Sequence, residues 1–369
     1  MKDPMWSRDL FEGMMFEEPF DEILVGYEEI PPETLELLGK LPISPKEFPA
    51  LYWLAKEIHV HPDDIASLLE QLRTDSSRLY RVMRRQKKNG SWKEFCAPDK
   101  SLMKIQDNIN RHILRFLKPA RNVYGFSGGS IVGAITPHLG SRVILCVDVV
   151  DAFPSVKSKD VLDWLTEGRS MYIDEFGRFQ RLANPGWFSW YAAKAITDLV
   201  TFKGFLPRGA PTSPRIFDLI CEPLDKALQK LADKVGGIYT RYADNIYFSM
   251  PVDSFPSPVR NAILKRIEGY RRKGPCFNWH KLKILKMGGN SVRALGLNIA
   301  GKKIHNTRSF KRQLRFALHH VNWLLDHGED HTKAWQWLQG LMQFAQRETI
   351  SPQLLEAYAA LKKRVTSLS

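Results

Sequence analysis

The run Arg142–Val147, RVILCV, is apolar and β-branched, and it ends on an acid, Asp148. Such content reads as a buried strand. Asp244 lies 96 residues further on, inside IYTRYADNIYFS (238–249), which reads as strand, tight turn and strand, with the turn at Asp244-Asn245. A carboxylate at the end of a buried strand is costly unless a cation neutralises it. Two adjacent antiparallel strands would bring Asp148 and Asp244 together. Acids so placed suit a pair of divalent ions roughly 3.5–4 Å apart, the arrangement that serves in-line phosphoryl transfer. Hard oxygen donors with few protein contacts favour Mg²⁺. Taken singly, either Asp reads as an ordinary strand-ending or turn residue.

Charge supports a polyanionic partner. The chain of 369 residues carries +14 from 54 basic and 40 acidic side chains. Residues 1–40 hold 11 acids and 3 bases, which leaves +22 on the remainder. A basic body of that size suits nucleic acid, and its plain alternative is a solvated surface. No apolar run approaches the roughly 18 residues of a membrane span. The acidic start lacks the pattern of a secretory signal. Cys96, Cys146, Cys221 and Cys276 form no CxxC pair. Neither a disulfide framework nor structural zinc is expected, and a reducing cytoplasm suits the chain.

Residues 45–75 read as two short helices, the second opening at His61-Pro62-Asp63-Asp64. Lys87-Lys88-Asn89-Gly90 reads as a basic turn between strands, and Leu102–Leu117 as a helix. Ser213 and Pro214 are expected to open one helix that runs to Gly236-Gly237, with Ser213 as its cap. Ser257-Pro258 starts another, and Gly274-Pro275 stops it. After Gly301 the pattern is all helical, with segments near 309–326, 332–347 and 352–367. Trp323, Trp335 and Trp337 are expected in the core of that module.

Several of these segments occur in a telling order. VDVVDAFPSV (147–156), GFLPRGAPTSP (204–214) and YTRYADNIYFS (239–249) are similar to the A, B and C motifs of reverse transcriptases. Residues 80–114 and GFSGGSIVGAITPHLG (125–140) resemble the bacterial retron-type branch, including its defence-associated members. FNWHKLK (277–283) is similar to the D motif, and ALGLNIAG (294–301) lies where a hairpin precedes the thumb. The resemblance spans about residues 50–350. It implies an α+β right-hand polymerase: an acidic extension (1–45), N-terminal helices and fingers (46–140), a palm of antiparallel sheet with helices on one face (141–300), and a three-helix thumb (301–369).

The same resemblance implies roles. Asp148, Asp244 and the carbonyl of Val149 would hold two Mg²⁺ ions. Asn245 replaces the second acid of the usual YADD, and an amide is a weaker ligand. Phe153 would lie under the sugar of the incoming dNTP and exclude a 2′-OH. The backbone amides of Asp151 and Ala152 would meet the triphosphate. Lys93 stands where relatives place Arg against the triphosphate, and Lys281 where the D-motif lysine assists the departing pyrophosphate. Gly209 would let backbone approach the base pair. Arg208 stands where relatives usually have Gln, and a guanidinium there is expected to bind the triphosphate or a template phosphate instead. His138 reads as a satisfied structural histidine.

The expected activity is RNA-directed DNA synthesis from dNTPs on a structured non-coding RNA that serves as template and primer, with an RNA–DNA duplex as product. An antiviral role and an effector protein partner follow from the family. Template-independent or protein-primed synthesis, RNA synthesis, and a non-catalytic RNA-binding scaffold are the competing readings.

Overall fold

The computed structural model describes residues 32–33, 44–86, 90–126, 129–166, 171–173, 179–181, 190–271, 278–287, 292–300, 302–345 and 350–367. The expected acidic extension lies almost wholly outside the described residues, as do Lys87, Lys88, Asn89 and Gly274-Pro275. In chain order the elements are α1 (Phe48–Glu57), α2 (Pro62–Asp75), β1 (Tyr80–Gln86), β2 (Trp92–Pro98), α3 (Lys100–His112), α4 (Ile131–Ile135) and β3 (Val143–Val150). Next come α5 (Ala152–Ser155), α6 (Ser158–Thr166), β4 (Met171–Ile173), β5 (Phe179–Arg181), α7 (Trp190–Val200), α8 (Ser213–Ile220), α9 (Glu222–Val235), β6 (Ile238–Tyr242) and β7 (Asn245–Met250). The last are α10 (Ser257–Arg271), β8 (Asn278–Lys286), β9 (Val292–Ala294), β10 (Leu297–Ala300), β11 (Lys303–Asn306), α11 (Arg308–Asp326), α12 (Thr332–Phe344) and α13 (Pro352–Thr366). The fold class is α+β. Two compact units emerge: Met1–Ala120, Asp151–Glu222 and Tyr270–Phe277 form one, and Arg121–Val150, Pro223–Gly269 and Asn278–Ser369 the other.

In the first unit, α1 and α2 occupy the expected places. Pro62 opens α2 where a missing N–H costs nothing, and His61 caps it, its Nδ1 accepting from the Asp63 amide at 3.4 Å. Leu51, Leu54, Ile65 and Leu69 bury the apolar faces of the pair. Strands β1 and β2 pair antiparallel, from Tyr80 opposite Pro98 to Gln86 opposite Trp92. The helix expected to reach Leu117 stops sooner: α3 ends at His112, and a 3-10 turn follows at Leu114–Phe116. Arg215 accounts for this end, because its guanidinium takes the carbonyls of Leu114, Arg115 and Leu117.

The single helix expected from 213 to 236 is two, α8 and α9, broken at Cys221. Pro223 explains the break: it has no N–H, and its ring would strike the Leu219 carbonyl of a continuous helix. Nor is Ser213 the cap. Thr212 holds that position, and the Ser213 hydroxyl donates instead to the Pro207 carbonyl at 2.7 Å.

The second unit is built on a four-stranded antiparallel sheet in the order β6-β7-β3-β8. Strand β3 is flanked on both sides, and Val143, Ile144, Leu145, Val147 and Val149 are buried, as its composition predicts. Gly237 meets this sheet closely: a Cβ there would lie 2.6 Å from the Phe248 ring. The turn between β6 and β7 is Ala243-Asp244, one residue earlier than expected, because Asn245 pairs with Tyr242 and begins β7. Ala243 takes the left-handed conformation this tight turn needs (φ 54°).

After Gly301 the chain is not all helical. β11 pairs with β10, and β9 completes a small antiparallel sheet. Four residues, KIHN, with mixed polarity carry too little pattern to mark a strand. Helices α11, α12 and α13 then pack around Leu314, Val321, Leu338, Met342 and Leu361. Trp335 joins them, stacked on Tyr358 at 5.7 Å. Trp323 and Trp337 do not, being 45% and 42% exposed. Trp323 stacks on His327, while Phe316 stacks on His320 and meets Trp337 at 6.2 Å. The spacing of 316, 320, 323 and 327 places these rings on one helical face, away from the stripe of Leu314, Leu318 and Val321. Helical periodicity groups residues on a face but does not say what covers it.

His138 is fully buried and fully partnered, as expected of a structural histidine. Thr240 Oγ1 donates to the Ala134 carbonyl, so it must accept from His138 Nε2 (2.8 Å). Nδ1 then accepts from Ser249 Oγ at 2.7 Å, and Ser249 accepts from Ser141. Burial lowers the imidazole from its usual 6.5 to about 4. The unfolded chain therefore binds one more proton than the folded chain between these values. Stability from this group is complete above pH 6.5 and is lost as pH falls toward 4, a difference of about 3 kcal/mol. Urea unfolding at pH 7 and pH 4.5 should show a steeper loss for the wild type than for His138→Gln. Equal losses would contradict this origin.

Candidate active site

The residues expected at the site are distributed over both units. In the second unit, Asp148 lies near the end of β3, directly opposite Asn245 on β7 and Lys281 on β8. The ladder shifts register between Asp148 and Val149 on the β8 side, the kind of irregularity that re-aims a strand end. Beside it, the Val149 amide donates to the Asp244 carbonyl at 3.0 Å, which ties the hairpin tip to β3. Asp148, Asp244 and Asn245 are half-buried. Lys281 holds its register position, and its side chain lies outside the described atoms.

Tyr247 reports on the two acids together. Burial pushes its phenol well above its ordinary range, and negative charge from both Asp148 and Asp244 adds to this. Asn245 Nδ2 donates to Asp244 Oδ1 at 2.8 Å. In place of a second acid, the amide orients the first.

Arg241 and Asp225 are the functional pair that sequence reasoning missed. Arg241 is 1% and Asp225 0% exposed. The guanidinium makes a two-pronged pair, Nε to Oδ1 and Nη2 to Oδ2, both at 2.8 Å. Tyr239 donates to the same carboxylate at 2.6 Å. Arg241 Nη1 then donates to the carbonyl of Ala243, the residue before Asp244. A fully buried ion pair thus props the turn that presents Asp244. The signal was present: Asp225 directly follows Leu224 in the apolar stripe of α9.

In the first unit, Asp151 is left-handed (φ 53°, ψ 42°) and stands at the cap position of α5. Phe153 on α5 meets the buried Phe217 of α8 edge-on, with ring centres 5.7 Å apart. Ala152 is buried. Arg208 pairs with Asp151 (2.9 Å) and also donates to the Glu94 carbonyl (3.2 Å). Gly209 needs its positive φ of 122°, and a Cβ there would lie 3.1 Å from the Cys96 carbonyl. Lys93, on β2, has its ammonium 5.6 Å from the centre of the Phe95 ring.

Comparison with known proteins points the same way. The retron Ec86 reverse transcriptase of Escherichia coli is 29% identical over 260 residues, covering 69% of this chain and 74% of that protein. The retron Mx162 reverse transcriptase of Myxococcus xanthus is 31% identical over 255 residues, covering 63% of this chain and 50% of that enzyme. The chain is similar to retron-type reverse transcriptases. Retron Mx65 reverse transcriptase, also from Myxococcus xanthus, is 27% identical, and the chain spans 54% of its length. This family places the chain among nucleotidyltransferases of the RNA-directed DNA polymerase class. No protein-family model matches. Among solved structures, telomerase from Candida albicans is similar at TM-score 0.42 and 11% identity, over 77% of this chain and 56% of that one. A foamy viral protease–reverse transcriptase is similar at TM-score 0.39 and 15% identity, over 92% and 56%. Among the described residues of this retron-type chain, no helix is long and apolar enough to cross a membrane.

Proposed function

We propose that the protein extends a primer hydroxyl with dNTPs on a structured RNA template, with Asp148 and Asp244 holding two Mg²⁺ ions. The observation that carries this reading is the placement of Asp148 opposite Asn245 across the ladder, with the Asp244 carbonyl bonded to the Val149 amide at 3.0 Å. Carboxylates held side by side in this way suit a shared divalent cation. Among the described residues there is no group of three His, Cys, Asp or Glu side chains that could cage a metal. Two carboxylates and the Val149 carbonyl would leave the remaining positions to water and substrate phosphate, a donor set that suits Mg²⁺.

The reaction forms a bond between the primer 3′ oxygen and the α-phosphorus and breaks the α–β bridge, releasing pyrophosphate. Bound Mg²⁺ supplies Lewis acidity and charge neutralisation at the transferring phosphate. Asn245 holds Asp244 Oδ1 in place, and Arg241 holds the turn beneath it. Lys93 and the amides of Asp151 and Ala152 serve the triphosphate, and Lys281 serves the departing pyrophosphate. Gly209 keeps the loop slim beside the base pair. Phe153 rejects a 2′-OH. Along α11, the exposed rings with Arg312 and Arg315 suit an RNA–DNA duplex or its unpaired ends.

Primer extension on an RNA template with Mg²⁺ tests the reading: template-matched DNA supports it, and bound RNA with no product favours a scaffold. Phe153→Val should raise rNTP use relative to dNTP by about 10–200-fold. An unchanged sugar preference in competing extension assays would remove Phe153 as the gate.

A further inference from the structure

Arg208 is anchored along its whole length. Ser213 Oγ donates to the Pro207 carbonyl at 2.7 Å, one residue before it. The Arg208 carbonyl accepts from the Cys96 amide of β2 at 2.7 Å. Gly209, one residue after it, lies so close that a Cβ there would meet the Cys96 carbonyl at 3.1 Å. The side chain is only 13% exposed, and its guanidinium is occupied by the Glu94 carbonyl and the Asp151 carboxylate, with the Phe95 ring centre 6.0 Å away.

The other end of this contact is a residue that needs holding. Asp151 adopts a left-handed backbone that side chains other than glycine rarely take. It stands at the cap position of α5, yet its carboxylate makes no capping bond to that helix. The carboxylate pairs with Arg208 instead, while the Asp151 carbonyl accepts from the Ser155 amide at 2.9 Å and closes the single turn that carries Phe153. The guanidinium thus links three segments distant in sequence: β2, the 206–214 loop and the turn at 151–155.

We propose that Arg208 is a positioning residue that clamps Asp151, and so fixes the turn bearing Phe153, rather than a ligand of the triphosphate. The inference rests on the proposed nucleotide-binding role of that turn. A glutamine at this position is shorter and uncharged. It would not neutralise Asp151 while also reaching the Glu94 carbonyl. In this chain the fork-shaped guanidinium makes both bonds at once.

The two roles for Arg208 give opposite signs for a change at Asp151. As a clamp, Arg208→Gln and Asp151→Asn should act alike. Each should raise the KM for dNTP about tenfold with a smaller change in kcat, and each should lower the preference for dNTP over rNTP. The double variant should be no worse than either single one. Arg208→Lys, which keeps one point of contact, should fall between wild type and Arg208→Gln. As a triphosphate ligand, Arg208 would be released by Asp151→Asn, which would lower the KM while Arg208→Gln raised it; that result would overturn the proposal. Hydrogen exchange gives a readout independent of polymerase activity. Amides of 151–155 should exchange faster in both single variants of the free protein, and protection equal to wild type would also overturn it. If the wild type fails to extend primers while both variants loosen this turn, the proposed reaction falls and the clamp stands.

Discussion

Asp244→Asn and Asp148→Asn should each abolish measurable primer extension while RNA binding stays within about twofold of wild type. Each removes one of the two carboxylates that the β3–β7 pairing and the Val149–Asp244 backbone bond bring side by side. Loss of transition-state charge stabilisation worth several kcal/mol corresponds to about a thousandfold or more in rate. Both side chains are half-buried and the replacements are isosteric, so the sheet should tolerate them. Extension in single turnover, read beside RNA retention on a filter, separates chemistry from binding. A variant that still extends at more than a tenth of the wild-type rate would remove that acid from the reaction centre.

Asp225→Ala should be the most destabilising change, at about 3–5 kcal/mol, because it leaves the Arg241 guanidinium buried without a counter-charge. The Tyr239 hydroxyl loses its acceptor as well. Denaturant unfolding measures the loss, and a change below 1 kcal/mol would contradict it. Replacing both partners with apolar residues, Asp225→Leu with Arg241→Met, should restore much of the stability, since no charge is then stranded. It should not restore extension. The bond from Arg241 to the Ala243 carbonyl would be gone, and with it the prop under the Asp244 turn.

Much of this was legible in the residues. The apolar, β-branched run before Asp148 marks β3, and the strand–turn–strand pattern around Asp244 marks the hairpin that pairs with it. Turn position was off by one residue because Ala243 accepts a left-handed conformation that its side chain does not advertise. The break at Pro223 is masked in the sequence because the apolar stripe continues on both sides of it. What the sequence hides are partnerships across long separations. Asp225 meets Arg241 from a helix, and Asp151 meets Arg208 across 57 residues. A charged residue among apolar neighbours says that a partner exists but not which one. The exposure of Trp323 and Trp337 was hidden for a related reason, because large aromatics are usually core residues.

Diffraction from crystals soaked with Mn²⁺ and a non-hydrolysable dNTP tests the central claim most directly, since anomalous scattering locates the metal independently of activity. The expected result is density bounded by Asp148, Asp244 and the Val149 carbonyl. Manganese bound elsewhere, or none at this pair with nucleotide present, would contradict the account.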